Sequence, residues 1–582
     1  MGLKTVRKWF GEDKNLKIFT VFFILASTAF LFLNAKYGFS FNDEPFCVTL
    51  GQRLFSGDAL FYDEWHGTQN FGAVMLPFYA LFRIFHSSNE GILLFLRYCY
   101  CSLWLGTCLY VYFTLNKKYK SSILVFAYLI FFAPHDYMTI SYNSIGLMAT
   151  LILCCIMYRI PSGPGKCTVL SKIFFSFFWI ITVLCSPLMA VAYVLSLIAV
   201  IVINKNKKIS DRVNKKVYFK NLYSFYLFSG IITVIAAAIY ISVFVLLRAD
   251  MSHVIKSIGY ILNDPEHQSE SILDSLIIKI YPIFLKNHLF FIAVLTSVGL
   301  SFIKKVREKA RFAMFFVCAV LFSVFQLIYA VNPGRESFNY HMLNISLLGI
   351  VAFILLENKP CKLFGIFFGF GLVYTIFNTI LSNTGIMSVS TTMTVGGVCG
   401  IICIILLCRE LKEQYKESKV LKVSVTAAVL TVILIQLCST VHIRINRSFW
   451  DGSVWELTET VGFGASKGLC TTQENLDGYE DMYKKLTYLM SQTDTKGKTL
   501  MSCTFEPIVY LDADLEIEAF SAWMSGYDKE SLNERVLEYQ ALHGGDKPDL
   551  VFCYSENDIL PFLNDGYGSI EYEGSYLFIL KE

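Results

Sequence analysis

Long apolar runs separated by short polar stretches fill the chain as far as residue 440 and then stop. Thirteen of them, at 18–33, 92–115, 123–134, 144–158, 173–185, 188–203, 222–247, 289–303, 312–330, 342–356, 363–381, 395–408 and 423–437, read as membrane-crossing helices. The reason is length: a helix rises about 1.5 Å per residue, and the hydrocarbon layer is about 30 Å thick. A further apolar piece, 71–85, contains Pro77 and is short for a span, so it is assigned as a re-entrant or interfacial helix. After 440 the apolar positions recur at helical or alternating spacing instead. That spacing predicts amphipathic helices over 479–492 and 531–543 and strands over 499–504, 550–554 and 575–580. The expected fold is a polytopic α-helical membrane protein of about 13 transmembrane helices with a small C-terminal α/β soluble domain. Its expected division is a membrane domain at 1–440, with a first loop at 35–90, and a soluble domain at 441–582.

Composition agrees with this reading. Of the 582 residues 55% are hydrophobic and 16% charged, well away from the soluble average. The formal net charge of +4 is small for the size, and nothing points to nucleic acid. Where the cations fall is more informative. Lys117, Lys118, Lys120, Arg159, Lys166, the 205–220 cluster, 304–311, Lys359, Lys362 and 409–422 occupy alternate loops, which the positive-inside rule places in the cytoplasm together with the N-terminus. The first loop, the loop over 248–288 and the region after 440 then face outward. This alternation holds only if 71–85 does not cross. The basic start and the first apolar run, which lacks a small-residue cleavage site, read as a retained signal anchor. Most of the seventeen cysteines lie inside apolar runs, where Cys behaves as a small hydrophobe, and no zinc-type spacing occurs.

Chemistry concentrates in the outward loops. Asp43 and Glu44 stand just past the first span, where carboxylates face water, a cavity or a partner. The same loop carries Trp65, His66 and Gln69. The next outward turn carries His135 and Asp136, and a later one Arg335, Tyr340 and His341; Lys256 lies in the long middle loop. The plainer alternatives are a helix cap for Asp43, a turn residue after Pro134 for Asp136 and the end of an Asn-Pro-Gly turn for Arg335. Taken together, acid, aromatic and guanidinium groups at one membrane face suit glycosyl transfer from a lipid-linked phosphate donor. Such a reaction needs a base for the acceptor hydroxyl and a cation for the departing phosphate, but no strong acid, unlike glycoside hydrolysis. Asp43, Glu44 and Asp136 are the catalytic candidates. Trp65, His66, Gln69, His135, Lys256, Arg335, Tyr340 and His341 are the candidates for substrate binding.

The Asp-Glu pair opening the first loop, the Trp-His-x-x-Gln stretch leading to Pro77, the acid in the second outward loop and the span count resemble GT-C-type integral membrane glycosyltransferases, in outline the protein O-mannosyltransferases and bacterial aminoarabinose transferases. The resemblance implies a polyprenyl-phosphate-sugar donor, an acceptor that is a glycan, lipid or protein, and a catalytic acid at the place of Asp43. No cofactor is assigned; a divalent metal stays open, because some enzymes of this type use one. The chain lacks the Trp-Trp-Asp tripeptide of oligosaccharyltransferases, which disfavours transfer to asparagine. Two alternatives come from other classes: a surface polysaccharide polymerase or ligase relying on Arg248, His253, Lys256 and His267, and a lipid-linked glycan transporter. The transporter reading is the weaker, because the charges lie in loops rather than at mid-helix.

Overall fold

The computed structural model describes residues 13–134, 137–162, 167–205, 216–263, 272–331, 333–334, 336–381, 386–449 and 451–581. In chain order its helices are α1 (Asp13–Asn34), α2 (Asp43–Ser56), α3 (Gly72–Phe85), α4 (Ile92–Asn116), α5 (Ser122–Ile130), α6 (Tyr142–Arg159), α7 (Val169–Cys185), α8 (Met189–Lys205), α9 (Lys216–Ile241), α10 (Met251–Leu262), α11 (Ile272–Lys286) and α12 (His288–Ser301). Then follow α13 (Lys304–Val331), α14 (Ser337–Leu355), α15 (Cys361–Leu381), α16 (Ile386–Gln414) and α17 (Lys419–Asn446). Each of the thirteen apolar runs carries a helix, but the lengths differ. Among the described residues nine helices (α1, α4, α6, α9 and α13 to α17) are long and apolar enough to cross a membrane. The apolar helices α7, α8 and α12 are shorter. Helix α5 has only 9 residues, since the chain leaves helical geometry ahead of Pro134.

At the bundle centre, α14 and α16 are mostly buried, whereas α9 shows most of its surface. The two central helices meet backbone to backbone. A Cβ added at Gly349 would stand 2.3 Å from the Gly400 Cα, so a glycine is needed there for the approach. Small residues serve this purpose in membrane helix pairs, where close van der Waals packing replaces the hydrophobic drive. Helix α3, the interfacial candidate, packs against α2, and its 14 residues are too few to span.

Beyond α17 come the short hairpin β1 (Glu459–Thr460) and β2 (Cys470–Thr471), then α18 (Gln473–Ser491), β3 (Thr499–Ser502), α19 (Ile508–Ala513), β4 (Glu516–Ile517), α20 (Lys529–Leu542), β5 (Leu550–Cys553), β6 (Tyr567–Tyr572) and β7 (Ser575–Leu580). The last five strands form one mixed sheet in the order β4-β3-β5-β7-β6, with β3 parallel to β4 and β5 and the remaining pairs antiparallel. β3 and β5 are almost wholly buried, as expected for strands covered on both faces.

This region is fastened to the loop between α1 and α4 by main-chain bonds. Cys470 N–H donates to Lys36 O at 2.7 Å, Trp65 N–H to Phe520 O at 2.7 Å, Gly91 N–H to Gly464 O at 3.0 Å and Leu93 N–H to Ala465 O at 3.2 Å. Arg53 of α2, paired with Asp58 of the same loop at 2.7 Å, donates across to Ala519 O at 2.8 Å. Helix α2 is consequently buried from Glu44 to Leu54 although its mean character is barely apolar.

Candidate functional site

Asp43 and Glu44 fill the first turn of α2, where unpaired backbone N–H groups and the helix dipole favour negative charge. Their surroundings separate them. Asp43 is half-buried and accepts a hydrogen bond from the Tyr137 hydroxyl at 2.7 Å, across the loop between α5 and α6. Glu44 is fully buried and gripped by Arg97 of α4, with Nε at 2.9 and 3.2 Å and Nη2 at 2.6 Å from its oxygens. The same guanidinium donates to the carbonyls of Ala35 at 3.0 Å and Gly38 at 2.9 Å, and lies 3.7 Å over the Phe449 ring. Gly38 adopts φ +88°, and a Cβ there would fall 2.3 Å from that of Phe449. The pairing thus lets Glu44 hold the 35–44 turn to α4.

Residues just ahead of Asp43 line an open groove of about 460 Å³ between this turn and the C-terminal region. Phe39, Phe41 and Phe449 supply its apolar surface; Ser40, Asn42, Asp451, Thr472, Glu474 and Asn475 supply the polar one. Asp451 ties the walls together. It accepts from Phe39 N–H at 3.1 Å, Thr471 Oγ1 at 2.6 Å and Asn475 Nδ2 at 2.6 Å. Burial raises its carboxyl above the usual range against the pull of those donors. The Phe449 ring also packs on Tyr137 at 4.7 Å, so the groove adjoins the Tyr137–Asp43 pair.

One helical turn beyond Asp43, Phe46 touches His66 at 4.8 Å and Trp523 of the C-terminal region at 5.3 Å. His66 Nδ1 pairs with Thr68 Oγ1 at 2.8 Å. Trp65 donates to Tyr62 O at 2.8 Å and stacks on Tyr260 at 4.6 Å, with the Arg535 guanidinium over both rings. Trp65 and His66 are therefore joined to the elements around α2. The other candidates sit differently. Gln69 is buried and accepts from Phe61 N–H at 2.5 Å, which folds the loop on itself. Lys256 is exposed on α10. Tyr340 stacks on Tyr329 at 4.7 Å, and His341 Nε2 meets Gln326 O at 3.1 Å; both are buried between α13 and α14. His135, Asp136, Arg335 and His267 lie outside the described residues.

Of the residues offered for a polymerase or ligase, Arg248 donates to Leu54 O at 3.1 Å and Asp58 O at 2.6 Å, and His253 stacks on Tyr62 at 5.8 Å. They brace the end of α2. Among the described residues no three His, Cys, Asp or Glu side chains gather as metal ligands.

Sequence reasoning missed Arg97 and the groove residues Asn42, Asp451 and Asn475. One of these carried a signal. Arg97 is a lone charge six residues into an apolar run, and such a charge needs a buried partner. For the groove there was none, because its walls come from segments more than 400 residues apart.

No protein-family model matches the sequence, and no curated protein matches it. Among solved structures the chain is similar to ArnT from Cupriavidus metallidurans bound to undecaprenyl phosphate, at 11% identity and a TM-score of 0.42, over 98% of each chain.

Proposed function

We propose that this chain is a multi-pass membrane glycosyltransferase that moves a sugar from a polyprenyl-phosphate donor to an acceptor hydroxyl, with Asp43 as general base. The observation that carries this reading is the placing of Asp43: a half-buried carboxylate at a helix start, held by Tyr137 and adjoining a groove lined by aromatic and polar groups. In the proposed step Asp43 takes the proton of the acceptor hydroxyl, whose oxygen bonds to the anomeric carbon. The bond from that carbon to the phosphate oxygen breaks, and polyprenyl phosphate leaves as an anion. Tyr137 fixes the carboxylate through its hydroxyl. Trp65 and His66 stand apart from the groove, beside Tyr260, Trp523 and Arg535. The cation for the leaving phosphate is assigned from the sequence to Arg335, with Asp136 as a supporting acid. The topology in this reading has the N-terminus in the cytoplasm and residues 441–582 outside.

General-base catalysis is worth roughly 10²- to 10⁴-fold in rate. Asp43→Asn, nearly isosteric, should lower turnover by about that factor in the purified protein supplied with polyprenyl-phosphate sugars and cell-envelope acceptors, with an unchanged elution profile and melting point. Turnover within a few-fold of the parent would remove Asp43 from this role.

A further inference from the structure

The groove beside Asp43 has a one-sided chemistry. Two carboxylates, Asp451 and Glu474, and two carboxamides, Asn42 and Asn475, stand around an apolar surface of phenylalanine rings, and among the described residues no Lys or Arg lines it. An anion entering here would give up water without meeting a cation among these residues and would face two negative charges, a cost that acts against such ligands. A ligand rich in hydroxyl groups meets the opposite situation. Carboxylates and carboxamide oxygens accept its O–H groups, and the rings cover its C–H faces, the usual division in a small-molecule site. One of the lining residues is unsatisfied: the Asn42 Oδ1 atom is buried without a hydrogen-bond partner, one residue from the proposed base. A buried acceptor left unpaired is unfavourable until a donor arrives. With a volume of about 460 Å³ the groove falls in the range of ligand sites.

We propose that this groove is the acceptor subsite, and that it takes an uncharged or amine-bearing saccharide and rejects anionic ones. The inference rests on the transferase reading for its role in the reaction, but the binding itself can be read without any donor. The test uses the purified full-length protein in detergent and an array of immobilised neutral, amine-bearing and anionic oligosaccharides. The expected result is saturable binding to neutral or amine-bearing members alone, weakened about tenfold by Asn42→Ala through the lost hydrogen bond. Glu474 is exposed, so Glu474→Lys should fold normally; it should weaken amine-bearing ligands and admit anionic ones. The proposal is overturned by wild-type binding to anionic saccharides as strong as to neutral ones, by no saturable binding to any member, or by binding that neither variant changes. A protein that binds neutral saccharides but transfers no sugar would instead sink the transferase reading and leave the groove standing.

Discussion

At the N-terminus of α2 two adjacent carboxylates are given opposite surroundings by neighbours that come from other helices. Asp43 reaches a tyrosine hydroxyl and stays half-buried, while Glu44 vanishes into a bidentate pair with Arg97. Removing one member of a buried pair leaves an uncompensated charge and costs about 3–5 kcal/mol. Glu44→Ala should therefore lower the melting temperature clearly and lose activity through unfolding, whereas Asp43→Asn should lose activity while folded. Thermal unfolding of both purified variants separates the two, and a Glu44→Ala protein as stable as the parent would remove the structural role from this pair. The sequence showed both acids and could not rank their burial, since a one-residue step around a helix turns a side chain by about 100° toward a different neighbour.

At the level of elements, α2 is a buried helix that does not span. Its sequence, with Asp43, Glu44, Gln52 and Arg53, reads as a solvated loop, and only the covering by α3 and α19 makes it interior. Helix α19 brings a titratable group of its own. Asp512 accepts from Ala465 N–H at 2.8 Å and from the Tyr479 hydroxyl at 2.9 Å, yet burial pushes its carboxyl up to about 7. An acid whose folded value lies above its unfolded value of about 3.9 is bound by its proton more tightly in the folded chain. Its effect on stability is thus absent below pH 4, unfavourable as pH rises from about 4 to 7, and constant above that. Asp512→Asn keeps an oxygen to accept both bonds and should flatten the fall in melting temperature across this window relative to the parent. Equal slopes for the two proteins would show that Asp512 does not titrate there. The helices α18 and α20 and the strands β3, β5 and β7 were visible in the spacing of apolar residues. β4 was not, because two residues carry no period, and β6 was not predicted either.

Across the whole molecule, the C-terminal region and the first loop form one fastened body at one end of the bundle, joined by main-chain bonds from residue 36 to residue 93. The proposed topology places that body outside and the basic loops inside. Single cysteines introduced into an otherwise cysteine-free protein, one within 205–220 and one at Asp477, should react with an impermeant thiol reagent from opposite faces of intact vesicles. Labelling of both from the same face would overturn the topology.

The sequence by itself determined that the chain is a multi-pass helical protein with a different, sheet-containing region after residue 440, because hydrocarbon demands long uninterrupted apolar helices and that demand is written locally. It also determined that carboxylates and aromatics gather in the first loop. Only the tertiary structure decided which of those residues meet. The tie of Glu44 to Arg97, the Tyr137 contact to Asp43 and the walls of the groove join segments separated by tens to hundreds of residues. Such pairings depend on how helices and sheet pack against one another, and packing is a property of shapes in three dimensions that no local period records.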